Sequence, residues 1–124
     1  MFKHILLVGT GGVIGSIARI LCQKYLYEWF PHPFPWGTFV VNMVGCFLIG
    51  IFYAVSEKGS LLTPEWRILL TTGFCGGFTT FSTFTYENIQ LLKSADYSYL
   101  LLYIFGSVIL GIIATYTGIL LIKS

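Results

Sequence analysis

The sequence predicts an all-α membrane protein, one domain of four transmembrane helices with the third broken near its middle. Composition is the first observation. Of 124 residues, 56% are hydrophobic and 10% charged, against about 25% charged in an ordinary soluble domain. A mean hydropathy of +0.81 would leave large apolar patches facing water in any soluble fold of this size. The second observation is length: a span needs about 20 apolar residues, so the chain holds four spans and has no room for a separate soluble catalytic domain. The third is the position of the breakers, which divide the apolar runs at 5–26, 36–55, 66–92 and 97–122.

Each span has its own boundary signals. The first runs from Ile5 to Leu26. A secretory signal peptide is the competing reading there, because Lys3 precedes the apolar stretch, but no small-residue cleavage pattern follows. Pro31, Pro33 and Pro35 in "WFPHPFPW" stop the helix, and Trp29 and Trp36 suit a membrane interface. The second span, Trp36 to Val55, ends at "SEKGSLLTPEW", where Thr63 is placed to cap a helix whose first residue is Pro64. The third, Trp66 to Leu92, is separated by the short "KSADYS" from the fourth, Tyr97 to Ile122, which predicts that these two are antiparallel neighbours.

Charge excludes some partners and raises a question of orientation. A net charge of +2 is too small and dispersed for a nucleic-acid surface. Four crossings place Lys3, Lys58, Arg67 and Lys123 on one side and Arg19, Lys24 and Lys93 on the other. That near-even split removes the usual determinant of topology. It predicts insertion in both orientations and, from that, an antiparallel homodimer of inverted subunits. Cys22, Cys46 and Cys75 lie singly in apolar runs and read as small hydrophobes. His4 and His32 have no suitably spaced second ligand for a metal.

The intramembrane polar residues are the candidate functional groups. Residues Thr71 to Thr85 read "TTGFCGGFTTFSTFT", ten Gly, Ser or Thr among fifteen. The Gly76-Gly77 pair weakens a helix by roughly 1 kcal/mol per glycine, so a break is expected near Gly76 to Thr80. Carbonyls freed there are suitable ligands for a small cation; a small-residue packing face is the competing reading. Phe81 and Phe84 are three apart on one face, and their electropositive ring edges can contact an anion or simply pack. In the second span Thr38 and Asn42 share a face with Gly45. Asn42 brings amide donors into the membrane, for an ion or as interhelical glue. Tyr99, Tyr103, Ser107, Gly111 and Thr115 form a stripe at every fourth residue of the last span. Gly11-xxx-Gly15 and Gly12-xxx-Ser16 in the first span predict close helix packing. A dinucleotide-binding reading of "ILLVGTGGVIG" fails because residue 14 is Ile and no parallel sheet fits. Among charged groups, Arg19 suits a vestibule that concentrates anions, and Glu87 follows the phenylalanine face at a pathway mouth.

Together, "GGVIGSIAR" (11–19), "GTFVVNMVGCFLIG" (37–50) and "GFCGGFTTFSTF" (73–84) resemble the three signature segments of the Fluc/CrcB fluoride channel family, a likeness that extends over essentially the whole chain. The resemblance implies an antiparallel dual-topology dimer in a microbial plasma membrane, with two pores that export fluoride passively and relieve its toxicity. It implies a central sodium ion (Na+) held by main-chain carbonyls of Gly76 and Thr79 from both subunits. The pore residues implied are Asn42, Phe81 and Phe84, with a polar track of Ser82, Thr83, Tyr103 and Ser107. Arg19 takes the vestibule position, and Glu87 and Thr38 are the further vestibule or pore-mouth residues. The chain departs from the pattern at Gly111, where the track often carries a hydroxyl. Two other classes compete. A proton-coupled exporter of organic cations needs an embedded carboxylate, and spans one and two have none. A membrane scaffold would use every glycine and hydroxyl for packing. Catalysis is least favoured, since no nucleophile, base and orienting group converge.

Overall fold

The computed structural model describes residues 1–29, 31, 33–58 and 63–123, so His32 and the 59–62 connection lie outside the described residues. The described chain is all helical: α1 (Phe2–Trp29), α2 (Trp36–Glu57), α3 (Pro64–Ile68), a π-helical segment (Leu69–Cys75), α4 (Gly76–Phe78), α5 (Ser82–Lys93) and α6 (Tyr97–Lys123). Three helices, α1, α2 and α6, are long and apolar enough to cross a membrane. Between α2 and α6 the chain is helical in shorter pieces.

The helix ends follow local chemistry. Proline stops α1, and α2 starts with the Pro35 carbonyl accepting from the Phe39 N–H at 3.1 Å. Thr63 caps α3, its hydroxyl accepting from the Trp66 N–H at 3.3 Å, with Pro64 next in the chain. Lys3 reaches Glu65 at 3.1 Å. The backbone N–H at this helix start, followed by Lys3, holds the Glu65 carboxyl below its ordinary value. At the end of α5 the N–H groups of Ala95 and Asp96 return to the Leu92 and Leu91 carbonyls at 3.1 and 3.0 Å. That closing motif puts Ala95 in the left-handed region, φ 59°.

Glycine decides which helices approach. A Cβ on Gly11 would strike the Leu69 carbonyl and, at 2.8 Å, the Phe74 nitrogen. One on Gly15 would strike the Phe74 carbonyl, and one on Gly77 would lie 2.5 Å from the Gly12 carbonyl. Here α1 lies backbone to backbone on the π-helical segment and α4, as small residues permit. Gly50 and Gly118 do the same for α2 and α6, facing the Thr115 and Phe47 carbonyls. Contacts advance in the same order along each pair, so both pairs are parallel: Thr115 donates to the Cys46 carbonyl at 3.0 Å, and Lys58 to the Ile122 carbonyl at 2.8 Å. The short 94–96 turn had predicted α6 as the antiparallel neighbour of the third segment. It meets that segment along α5 and makes its longest contact with α2, because Gly50 and Gly118 remove the side chains that would hold those two apart.

Candidate functional site

The helical path of the third segment ends at Thr79, whose backbone is extended (φ −84°, ψ 159°), and resumes at Ser82. Gly76 is itself in ordinary right-handed helix (φ −62°, ψ −37°). The chain thus leaves the helix at Thr79, two residues beyond the glycine pair, because Gly77 is pinned against Gly12 and polar side chains take over the backbone further on. Asn42 does most of this. Its carboxamide accepts from the Thr80 N–H at 2.8 Å and donates to the Thr80 carbonyl at 3.1 Å. A continued helix would send that N–H to Gly76. The Thr80 hydroxyl accepts from the Thr83 N–H at 3.3 Å, a bond that a continued helix would give to Thr79. Arg19 Nε donates to the Gly77 carbonyl at 3.1 Å. Side chains have therefore replaced helical partners so that the carbonyls of Gly76 and Thr79 are relieved of theirs.

The break borders one groove of about 510 Å³ on the faces of α2, the third segment and α6. Asn42, Gly76, Thr79, Phe81, Phe84 and Ser107 all line it. Phe81 stands 76% exposed on its lip, and its ring centroid is 5.8 Å from that of Phe84, which is buried. The Ser107 hydroxyl is buried without a hydrogen-bond partner within the described chain. Asn42 keeps one amide N–H beyond the one spent on Thr80. The groove wall therefore combines the Asn42 amide, the Ser107 hydroxyl, two phenylalanine rings and the Gly76 and Thr79 backbone, and none of its described residues carries a formal charge.

A second polar cluster lies nearer the end of the molecule that holds the proline-rich connection. Glu87 accepts three hydroxyl bonds: Tyr103 on Oε1 at 2.9 Å, and Tyr27 and Thr38 on Oε2 at 2.8 and 3.0 Å. Gln23 donates to the Thr38 oxygen at 3.1 Å. Thr38 and Tyr103 are fully buried, and the Tyr103 ring packs against Phe84 at 4.8 Å and Phe34 at 5.3 Å. Hydroxyl donors stabilise a carboxylate in such a setting. An outer concavity of about 210 Å³, lined among others by Tyr27, Glu87 and Asp96, opens beside it.

The structure thus divides the residues singled out from the sequence. Asn42, Gly76, Thr79, Phe81, Phe84 and Ser107 share the groove, whereas Thr38, Glu87 and Tyr103 share the carboxylate cluster. Phe84 links the two through Tyr103. Arg19 is turned to the Gly77 carbonyl, where it caps a helix end. Ser82 is exposed and Thr83 half-buried, and neither lines the groove. Gly111 leaves room beside Cys46 and Met43, each 3.5 Å from where its Cβ would be. Sequence reasoning missed Gln23, Tyr27 and Thr80. The first two follow Arg19 at four-residue intervals, a polar stripe on α1 that spacing alone could have shown.

Comparison with known proteins now bears on this arrangement. Residues 6–119 match the family described as CrcB-like protein, Camphor Resistance (CrcB). The chain belongs to the CrcB family. A CrcB relative from Leptospira interrogans serogroup Icterohaemorrhagiae serovar copenhageni, named fluoride-specific ion channel FluC, is 48% identical over 122 residues, covering 98% of this chain and 96% of its own. FluC of Chlorobium phaeobacteroides is 48% identical over 122 residues, 98% of this chain and 94% of its own. FluC of Flavobacterium psychrophilum is 44% identical over 121 residues, 98% of each chain. The CrcB match thus takes in both the groove and the carboxylate cluster.

Proposed function

We propose that this chain is a fluoride-specific ion channel that lets fluoride leave the cytoplasm passively across the plasma membrane and so relieves its toxicity. The observation that carries the reading is near-full-length identity to bacterial proteins named for that activity. The groove supports it: fluoride is small and strongly hydrated, and amide, hydroxyl and ring-edge donors replace its water without a lysine that would hold it too tightly to leave.

In this reading residues 66–92 form one membrane span interrupted at Thr79–Phe81, and two inverted copies pack groove to groove. Asn42, Phe81, Phe84 and Ser107 line each fluoride path, Ser82, Thr83 and Tyr103 extend it, and Glu87 with Thr38 stands at a mouth. The even distribution of basic residues supports dual insertion, and the exposure of the Phe81 ring supports its being covered by a second subunit.

A sodium ion fits the donor set at the break. Gly76 and Thr79 offer hard carbonyl oxygens relieved of their helical N–H partners by Asn42 and Thr80, and Gly76 has no side chain within 4 Å of where a Cβ would stand. Two carbonyls from one chain and two from an inverted partner would hold the ion, which supplies a fixed positive field when bound. What the chain itself contributes is the orientation of those carbonyls.

The test is growth. A bacterium lacking its own fluoride exporter should regain growth in fluoride when it expresses this chain, and lose it again with Asn42→Ala. Failure to grow despite verified membrane insertion rejects the activity. Thiol labelling of cysteines placed at the two termini tests dual insertion, and labelling from a single side rejects the inverted dimer.

A further inference from the structure

We propose that Tyr27 is a positioning residue at the mouth, one that masks the Glu87 carboxylate from the passing anion; the inference rests on the fluoride-channel reading above. A carboxylate at the entrance of an anion path is an electrostatic obstacle, and what surrounds Glu87 is suited to remove it. Tyr103 and Thr38 hold the carboxylate from inside, fully buried. Tyr27 is different. It is 43% exposed, lines the outer concavity together with Glu87, and puts its hydroxyl 2.8 Å from Oε2. It is the donor that stands between the carboxylate and water.

The surrounding residues hold Tyr27 in that place. Gly37 lets α1 come close, since a Cβ there would lie 3.3 Å from the Tyr27 ring and 3.4 Å from the Gln23 backbone. Gln23, one turn before Tyr27, donates to the Thr38 oxygen at 3.1 Å, and the Thr38 hydroxyl is thereby left to donate to Oε2. Both donors on the outer carboxylate oxygen are thus set by the end of α1. With the Tyr27 hydroxyl removed, Oε2 keeps one donor and presents its charge to the concavity, where Asp96 adds another carboxylate.

The experiment measures fluoride efflux from liposomes for wild type and Tyr27→Phe, at low and saturating fluoride and in low and high concentrations of an impermeant organic salt. The expected result is a loss of about fivefold at low salt and low fluoride, shrinking below about twofold at high salt because an exposed charge is screened, with little loss at saturating fluoride. Gln23→Leu should show a smaller effect of the same sign. Wild-type rates in both variants under all conditions would overturn the proposal. So would a loss independent of salt and of fluoride concentration, which marks a merely structural role. Absence of efflux from wild type itself would overturn the channel reading, and this inference with it.

Discussion

Replacing Asn42 by alanine removes two hydrogen bonds between α2 and the non-helical stretch, the 2.8 Å bond from the Thr80 N–H and the 3.1 Å bond to the Thr80 carbonyl. Side-chain hydrogen bonds between membrane helices average about 0.6 kcal/mol and reach about 1.7, so the pair is worth about 1–3 kcal/mol. The loss has a direction as well as a size. Without Asn42 the Thr80 N–H is free to return to the Gly76 carbonyl, as in a continuous helix, and the oriented carbonyl is lost. Every 1.4 kcal/mol is tenfold in population, so fluoride flux should fall at least about fivefold. Unfolding in a detergent titration measures the first quantity, and liposome efflux the second. Asn88→Ala is the stability control, because its amide donates within its own helix, to Phe84 at 3.0 Å. An Asn42→Ala protein with stability within about 0.5 kcal/mol of wild type and unchanged flux would refute the assignment of Asn42 as the clamp of the break.

Four further outcomes are expected. Phe81→Ile should impair flux while changing the stability of the subunit by no more than about 0.5 kcal/mol, since the ring is 76% exposed; both follow from paired efflux and unfolding measurements. Gly15→Ala should cost about 1–3 kcal/mol because its Cβ meets the Phe74 carbonyl, whereas Gly9→Ala, with nothing within 4 Å, should be tolerated or slightly stabilising; detergent unfolding separates them. Ala95→Gly should raise stability by about 0.5–1 kcal/mol, relieving the φ of 59°, and thermal unfolding reads it. Exchange of sodium for a larger monovalent cation should lower thermal stability or slow flux, since a carbonyl site prefers one ionic radius; indifference after exhaustive exchange removes sodium from the account.

What could be read in the sequence was whatever is local along the chain. Proline at 31, 33 and 35 and the Thr63-Pro64 start mark helix boundaries through the backbone alone, and the observed helices α1, α2 and α6 extend at most three residues beyond the apolar runs. Gly11-xxx-Gly15 signalled close packing because spacing by four is itself a statement about one helix face. The position of the break was harder. The glycine pair set the expected range at Gly76 to Thr80, but the point inside it where the helix ends, Thr79, depends on Asn42, remote in sequence, which takes both backbone groups of Thr80. Likewise, spacing shows Glu87 three residues beyond Phe84, yet its three hydroxyl donors come from α1, α2 and α6 and meet only through tertiary packing. The parallel pairing of α2 with α6 depends on Gly50 and Gly118 matching across helices, which no single segment displays.

The most direct measurement is fluoride efflux from liposomes containing the purified protein, with a potassium ionophore to carry compensating charge and chloride efflux as the control. Rapid loss of fluoride with chloride retained is the predicted result. Verified, folded protein that releases no fluoride, or releases chloride equally, would contradict the account and recast the groove of Asn42, Phe81 and Ser107 as a packing surface.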